Sequence, residues 1–152
     1  MGGLVDFAAS RRATVRFIEL MPFALGPEWK RYYLPREEML ARLADRVDPT
    51  PLDGGSEPAT YFRLRNGRGV VGLISPISCG FCARCNRLRL TADGFLRPCL
   101  YREGEVELKG ALRAGASDGE IAALIRLAVG GKPGEGTSRP PAGSRSMLRI
   151  GG

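Results

Sequence analysis

The sequence contains no histidine. This removes the commonest general base and the commonest zinc ligand. It also excludes Ser–His and Cys–His nucleophilic machinery, so any metal must be held by thiolates or carboxylates. No apolar run approaches the ~20 residues needed to cross a bilayer, so no membrane partner is expected. The N-terminus, "MGGLVDFAASRRATVRF", lacks the basic start and apolar core of a signal peptide. A cytoplasmic location is the expectation. A phosphate loop is missing too: "GGKPGEG" (130–136) lacks the G-x-x-x-x-G-K-[ST] order and follows a predicted helix rather than opening one. Acidic residues are in deficit, 16 against 23 basic, giving +7. That charge suits either an Arg-rich solvated surface or an anionic partner such as a nucleotide phosphate, and charge alone does not choose.

The 152 residues present suffice for one compact domain with a real core. "LVDFAASRR" (4–12) reads as the end of a helix, and "TVRFIEL" (14–20) as a mostly buried strand. A helix followed by an apolar strand suggests an α/β unit with parallel pairing. A helix is expected over 35–47, with Met39, Leu40, Leu43 and Val47 on one face, followed by a Pro/Gly-rich loop over 48–58. "TYFRLRN" and "GVVGLIS" flank Gly67–Gly69 as a hairpin. A second helix spans 118–129, with Ser117 and Glu120 as a capping box and Ile121, Leu124, Ile125 and Ala128 as its buried stripe. The Gly/Pro/Ser-rich tail after Gly130 offers little to bury.

Every cysteine lies in "SCGFCARCNRLRLTADGFLRPCLY", as Cys79, Cys82, Cys85 and Cys99. Such clustering favours metal binding over disulfides. A C-x2-C turn aims two thiolates at one metal. The alternation around Asp93-Gly94 predicts a hairpin that returns Cys99 toward that turn. On its first arm Leu88 and Leu90 share one face, Arg87 and Arg89 the other. Spacing leaves two sites open, a closed four-thiolate zinc site and an iron–sulfur cluster. Arg84, Arg87, Arg89 and Arg97 crowd the segment. They are either the solvated face of a hairpin or guanidinium forks for phosphate and purine acceptors.

"SPISCGFCARCNRLRLTADGFLRPCL" closely resembles the C-terminal iron–sulfur segment of the GTP 3′,8-cyclase family, the radical SAM enzymes of molybdenum-cofactor biosynthesis. "TVRFIELMPF" resembles the family's late barrel strand and following loop, and "MLRIGG" its double-glycine tail, so the likeness covers essentially the whole chain. The resemblance implies a [4Fe-4S] cluster on Cys82, Cys85 and Cys99, with one iron left open for the guanine of GTP. It implies GTP contacts from Arg87, Leu88 and Arg89, an S-adenosylmethionine contact from Met21, and a substrate cavity that includes Arg16, Gly151 and Gly152. The reaction implied converts GTP to (8S)-3′,8-cyclo-7,8-dihydroguanosine 5′-triphosphate, a lyase activity begun by a radical on the ribose.

Two features depart from the family pattern. The C-x3-C-x2-C motif that binds the cluster cleaving S-adenosylmethionine is not in this sequence. The chain is therefore expected to bind cluster and GTP without being catalytic alone, and to associate with an N-terminal radical SAM half or a homodimer partner. Cys79 lies outside the three-ligand spacing. As a fourth ligand it would close the position where GTP binds; the expectation is that it is not one. The fold expected is α/β to α+β. Residues 1–26 are a remnant of the radical SAM barrel that supplies the last strand of an incomplete α/β (TIM-like) barrel. Residues 27–152 form a small C-terminal domain of antiparallel hairpins and helices. With no barrel neighbours, Val15, Phe17 and Ile18 are expected to face solvent or a partner. The alternative function is a non-catalytic four-cysteine zinc or iron–sulfur module binding nucleic acid.

Overall fold

The computed structural model describes residues 1–22, 28–52, 57–65, 69–80, 82–101 and 104–132. The chain divides into two compact units, residues 1–21 with 27–85, and residues 22–26 with 86–152.

The first unit opens with helix α1 (Gly2–Arg11), which stops where Arg12 turns left-handed at φ 54°. Strand β1 (Val15–Ile18) follows, then a single helical turn α2 (Trp29–Tyr32) and helix α3 (Arg36–Arg42). Strands β2 (Val47–Leu52), β3 (Ala59–Leu64) and β4 (Val70–Ile74) complete a mixed sheet in the order β1-β4-β3-β2. β1 runs parallel to β4, and the other two pairings are antiparallel. Alternation decides the faces. Val71, Leu73, Phe62 and Leu64 turn inward and pack with Val5 of α1 and with Met39 and Leu43 around α3. Arg16, Gly72 and Tyr61 fall on the opposite face.

The expected β3–β4 hairpin is present. β1 is not mostly buried: Val15 and Phe17 lean half-buried on the core, while Ile18 is 58% exposed. The expected exposure of all three is therefore corrected for Val15 and Phe17, which the inward sheet face covers. The helix predicted over 35–47 closes at Arg42, and the predicted 48–58 loop begins as β2. Two prolines are tolerated in β2 because it lies at the sheet edge. Its register also shifts between Val47 and Pro51, which spares Pro49 a ladder bond. The Thr50 amide donates to Asp48 Oδ1 across the shift (2.9 Å).

The second unit holds the short strands β5 (Arg89–Leu90), β6 (Phe95–Arg97) and β7 (Val106–Glu107), paired antiparallel in that order. The turn between β5 and β6 requires Gly94, whose φ is +90° and whose added Cβ would lie 2.3 Å from Lys109 Cβ. Helices α4 (Lys109–Arg113) and α5 (Asp118–Gly130) follow. α5 carries the expected capping box and lies against β6 and β7. Leu96, Leu108 and Ala128 form the buried cluster, with Leu88, Val106 and Leu124 packed on it. The predicted stripe of α5 is shallower than expected, since Ile125 is exposed. Leu90 is exposed as well, unlike Leu88, because β5 is only two residues long and ends there. No helix among the described residues is long and apolar enough to cross a membrane.

Candidate cysteine and arginine site

In the first unit, β1 ends at Ile18 and delivers Glu19 into the interior, where it is 1% exposed. An isolated carboxylate there would be costly, but this one is saturated with donors. Its Oε1 accepts from the Arg36 amide (3.0 Å) and from the Ser78 hydroxyl. Its Oε2 accepts from the amides of Ile77 (2.8 Å) and Ser78 (3.0 Å). Tyr33 stands beside it, and burial first, then the Glu19 charge, push that phenol upward. Glu19 thus ties the start of α3 to the turn immediately before Cys79. No sequence motif announced this role; a charged residue closing an apolar strand was the available signal.

From that turn the Cys79 amide donates to the Ser75 carbonyl (3.3 Å), and Cys79 itself is exposed. Arg36 Nη1 donates to its sulfur (3.4 Å). Cys82 and Cys85, both half-buried, bracket a 3-10 turn over Cys82–Arg84, closed by the Cys85 amide on the Cys82 carbonyl (3.1 Å). This is the compact C-x2-C turn the spacing predicted. Among the described residues no group of three or more Cys, Asp or Glu side chains is arranged to take a metal ion. Met21 lies half-buried just beyond β1.

Arg16, on the outward face of β1, is exposed and donates from Nε to Tyr61 Oη (2.8 Å). Its guanidinium carbon lies 5.5 Å from the Tyr61 ring centroid.

In the second unit, Arg87 is exposed and Arg89 half-buried at the head of β5, flanking Leu88 on the apolar cluster. Arg97, opposite Arg89 in the ladder, is 1% exposed and pairs with Glu105 (3.4 Å). It is a core cation and not part of a solvated arginine face. Cys99 is half-buried, and its sulfur accepts the Tyr101 amide (3.4 Å). Lys132, just past α5, donates Nζ to the carbonyls of Arg87 (2.7 Å) and Pro98 (3.2 Å). One ammonium therefore fastens the arm carrying Arg87 and Arg89 to the arm carrying Cys99. No sequence signal marks Lys132 for this role, because its acceptors are backbone carbonyls 45 and 34 positions away. Gly151 and Gly152 lie outside the described residues.

The free cysteines have amide or guanidinium groups nearby and belong to an α+β fold. This defines an α+β protein with a cysteine-rich segment. The chain belongs to the Molybdenum Cofactor Synthesis C family, whose model matches residues 13–137. It is 46% identical over 159 aligned residues to the GTP 3′,8-cyclase of Moorella thermoacetica, an alignment covering 98% of this chain and 48% of that protein. It is 47% identical over 130 residues to the GTP 3′,8-cyclase of Pelotomaculum thermopropionicum, covering 82% and 39%. For the GTP 3′,8-cyclase of Rhodopirellula baltica the figures are 40% over 161 residues, 99% and 44%. The chain thus spans less than half the length of these relatives.

Proposed function

We propose that this chain is the [4Fe-4S]- and GTP-binding C-terminal part of a GTP 3′,8-cyclase of molybdenum-cofactor biosynthesis, working in the cytoplasm. The observation that carries this reading is the thiol set in a family member whose matched relatives are GTP 3′,8-cyclases. Cys82 and Cys85 on one turn and Cys99 with its amide donor would hold the cluster. Soft sulfur donors without histidine suit iron–sulfur. Bound there, the cluster would supply a Lewis-acidic iron for the purine of GTP.

Arg87 and Arg89 would hold GTP, with Leu88 anchoring the stretch between them. Arg16 would face the same nucleotide, Met21 would contact S-adenosylmethionine in the complete enzyme, and Gly151 and Gly152 would close on the substrate. In the complete enzyme residues 1–26 would supply the last strand of an incomplete α/β barrel leading into a 27–152 domain. An N-terminal radical SAM half, or a second copy, is the proposed partner. Cys79, held by Arg36, stays outside the ligand set.

Anaerobic reconstitution with iron and sulfide tests this. Close to four irons per chain are expected, with a cluster spin-resonance signal that changes on adding GTP. Cys82→Ser, Cys85→Ser or Cys99→Ser should abolish loading, and Cys79→Ser should leave it intact. One zinc and no iron per chain would overturn the reading in favour of a closed structural site. Loss of the cluster in Cys79→Ser would overturn the three-ligand set.

A further inference from the structure

Resting on the reading that Arg16 faces GTP, we infer that Tyr61, backed by Glu57 and given room by Gly72, is the residue that positions Arg16. The strand register sets these residues in one row. Arg16 of β1 lies opposite Gly72 of β4, and Gly72 lies opposite Tyr61 of β3. The row occupies the sheet face turned away from the core formed by Phe62, Val71 and Leu73.

On a sheet, residues two strands apart are too far for short side chains to meet over an intervening one. Here the intervening residue is glycine. An added Cβ at Gly72 would lie 3.0 Å from both Arg16 Cγ and Tyr61 Cε1. Its backbone is not in the left-handed region, so the glycine is required for space and not for conformation. Across this gap Arg16 lays its stem and donates Nε–H to Tyr61 Oη (2.8 Å). The Tyr61 hydroxyl donates onward to Glu57 Oε2 (2.7 Å), which fixes its proton away from Arg16 and leaves a lone pair for Nε–H.

Two consequences follow for binding. The bond uses Nε, so both Nη groups remain as a forked edge suited to bidentate acceptors. The phenol also stands between the Glu57 carboxylate and the guanidinium, so Arg16 is held through a hydroxyl and not by a direct ion pair with Glu57. Ordering a long side chain before the ligand arrives removes part of the cost of binding, and the effect is worth about two- to tenfold in affinity.

The test uses the full chain, reconstituted anaerobically, with nitrogen-15 labelling at arginine. In ligand-free protein a slowly exchanging Arg16 Nε–H resonance is expected. It should be lost in Tyr61→Phe, lost or broadened in Glu57→Ala and Gly72→Ala, and kept in Glu57→Gln, whose amide oxygen still accepts. Tyr61→Phe should weaken GTP binding about two- to tenfold, and adding Glu57→Ala to it should weaken binding no further. Persistence of the Nε–H signal in Tyr61→Phe overturns the proposal. So does unchanged GTP affinity in Tyr61→Phe when Arg16→Ala weakens it. If the signal depends on Tyr61 but Arg16→Ala leaves GTP affinity untouched, or the wild-type chain takes up no GTP, the assignment of Arg16 to the nucleotide fails, and the positioning role falls with it.

Discussion

Two residues hold the candidate site from outside the cysteine segment. Glu19 gathers three amides and a hydroxyl in the interior of the first unit. Removing its carboxylate takes away the shared acceptor of four donors that lie at a part-buried junction. Glu19→Ala should therefore cost about 2–4 kcal/mol in urea unfolding, far beyond the ~0.5 kcal/mol typical of surface substitutions. Glu19→Gln should rescue little, because its amide would present N–H groups to N–H donors. Lys132 is the counterpart in the second unit. Lys132→Met keeps most of the stem and loses two charge-assisted bonds to the Arg87 and Pro98 carbonyls. A cost of about 1–3 kcal/mol is expected, together with faster amide exchange in β5 and around Cys99 measured by mass spectrometry. Neither residue was visible as a site residue in the sequence. Each acts on backbone groups distant in the chain, and no local spacing encodes such a contact.

Among the elements, α5 has the most explicit start signal. The Ser117 hydroxyl accepts the Glu120 amide (3.4 Å), and the Glu120 carboxylate accepts the Ser117 amide (2.8 Å). Ser117→Ala should lower stability by about 1 kcal/mol, read as a drop in the thermal midpoint of helical circular dichroism. The reciprocal backbone bond from Ser117, then its hydroxyl, holds the Glu120 carboxyl below its usual range. The Thr50 amide does the same first for Asp48 in β2. A folded pKa below the unfolded one contributes stability that is fully present above the unfolded value of about 4 and is lost as pH falls through the folded one. α5 should therefore loosen on acidification below about pH 4, and Glu120→Gln should flatten that dependence. The capping box, α1's end at Arg12 and the β3–β4 hairpin were all legible, because each rests on neighbours within a few positions. β2 was hidden, because two prolines in six residues argue for a loop. Only its place at the sheet edge permits them.

For the whole molecule, burial is divided unevenly. Among the described residues, the first unit's cluster has eight buried members and the second's has three. Apolar burial supplies most of the driving force, about 1.5–3 kcal/mol for each fully buried large side chain, so the second unit has less to resist opening. Amides of β6, β7 and α5 should exchange faster than those of β3 and β4 under native conditions. Equal protection would contradict this. Phe62→Ala, in the larger cluster, should cost about 3–5 kcal/mol.

The sequence by itself determined the chemistry on offer. It confined four thiols to one segment, excluded histidine, surrounded the thiols with arginines, and carried a family-specific spacing at Cys82, Cys85 and Cys99. These are properties of residue identity and short separation, and they survive without coordinates. The tertiary structure alone decided which arginine is which. Arg97 is buried on Glu105, Arg36 turns to Cys79, and Arg16 reaches over Gly72 to Tyr61. Identical side chains were separated by burial and strand register, which depend on residues up to 45 positions away in sequence.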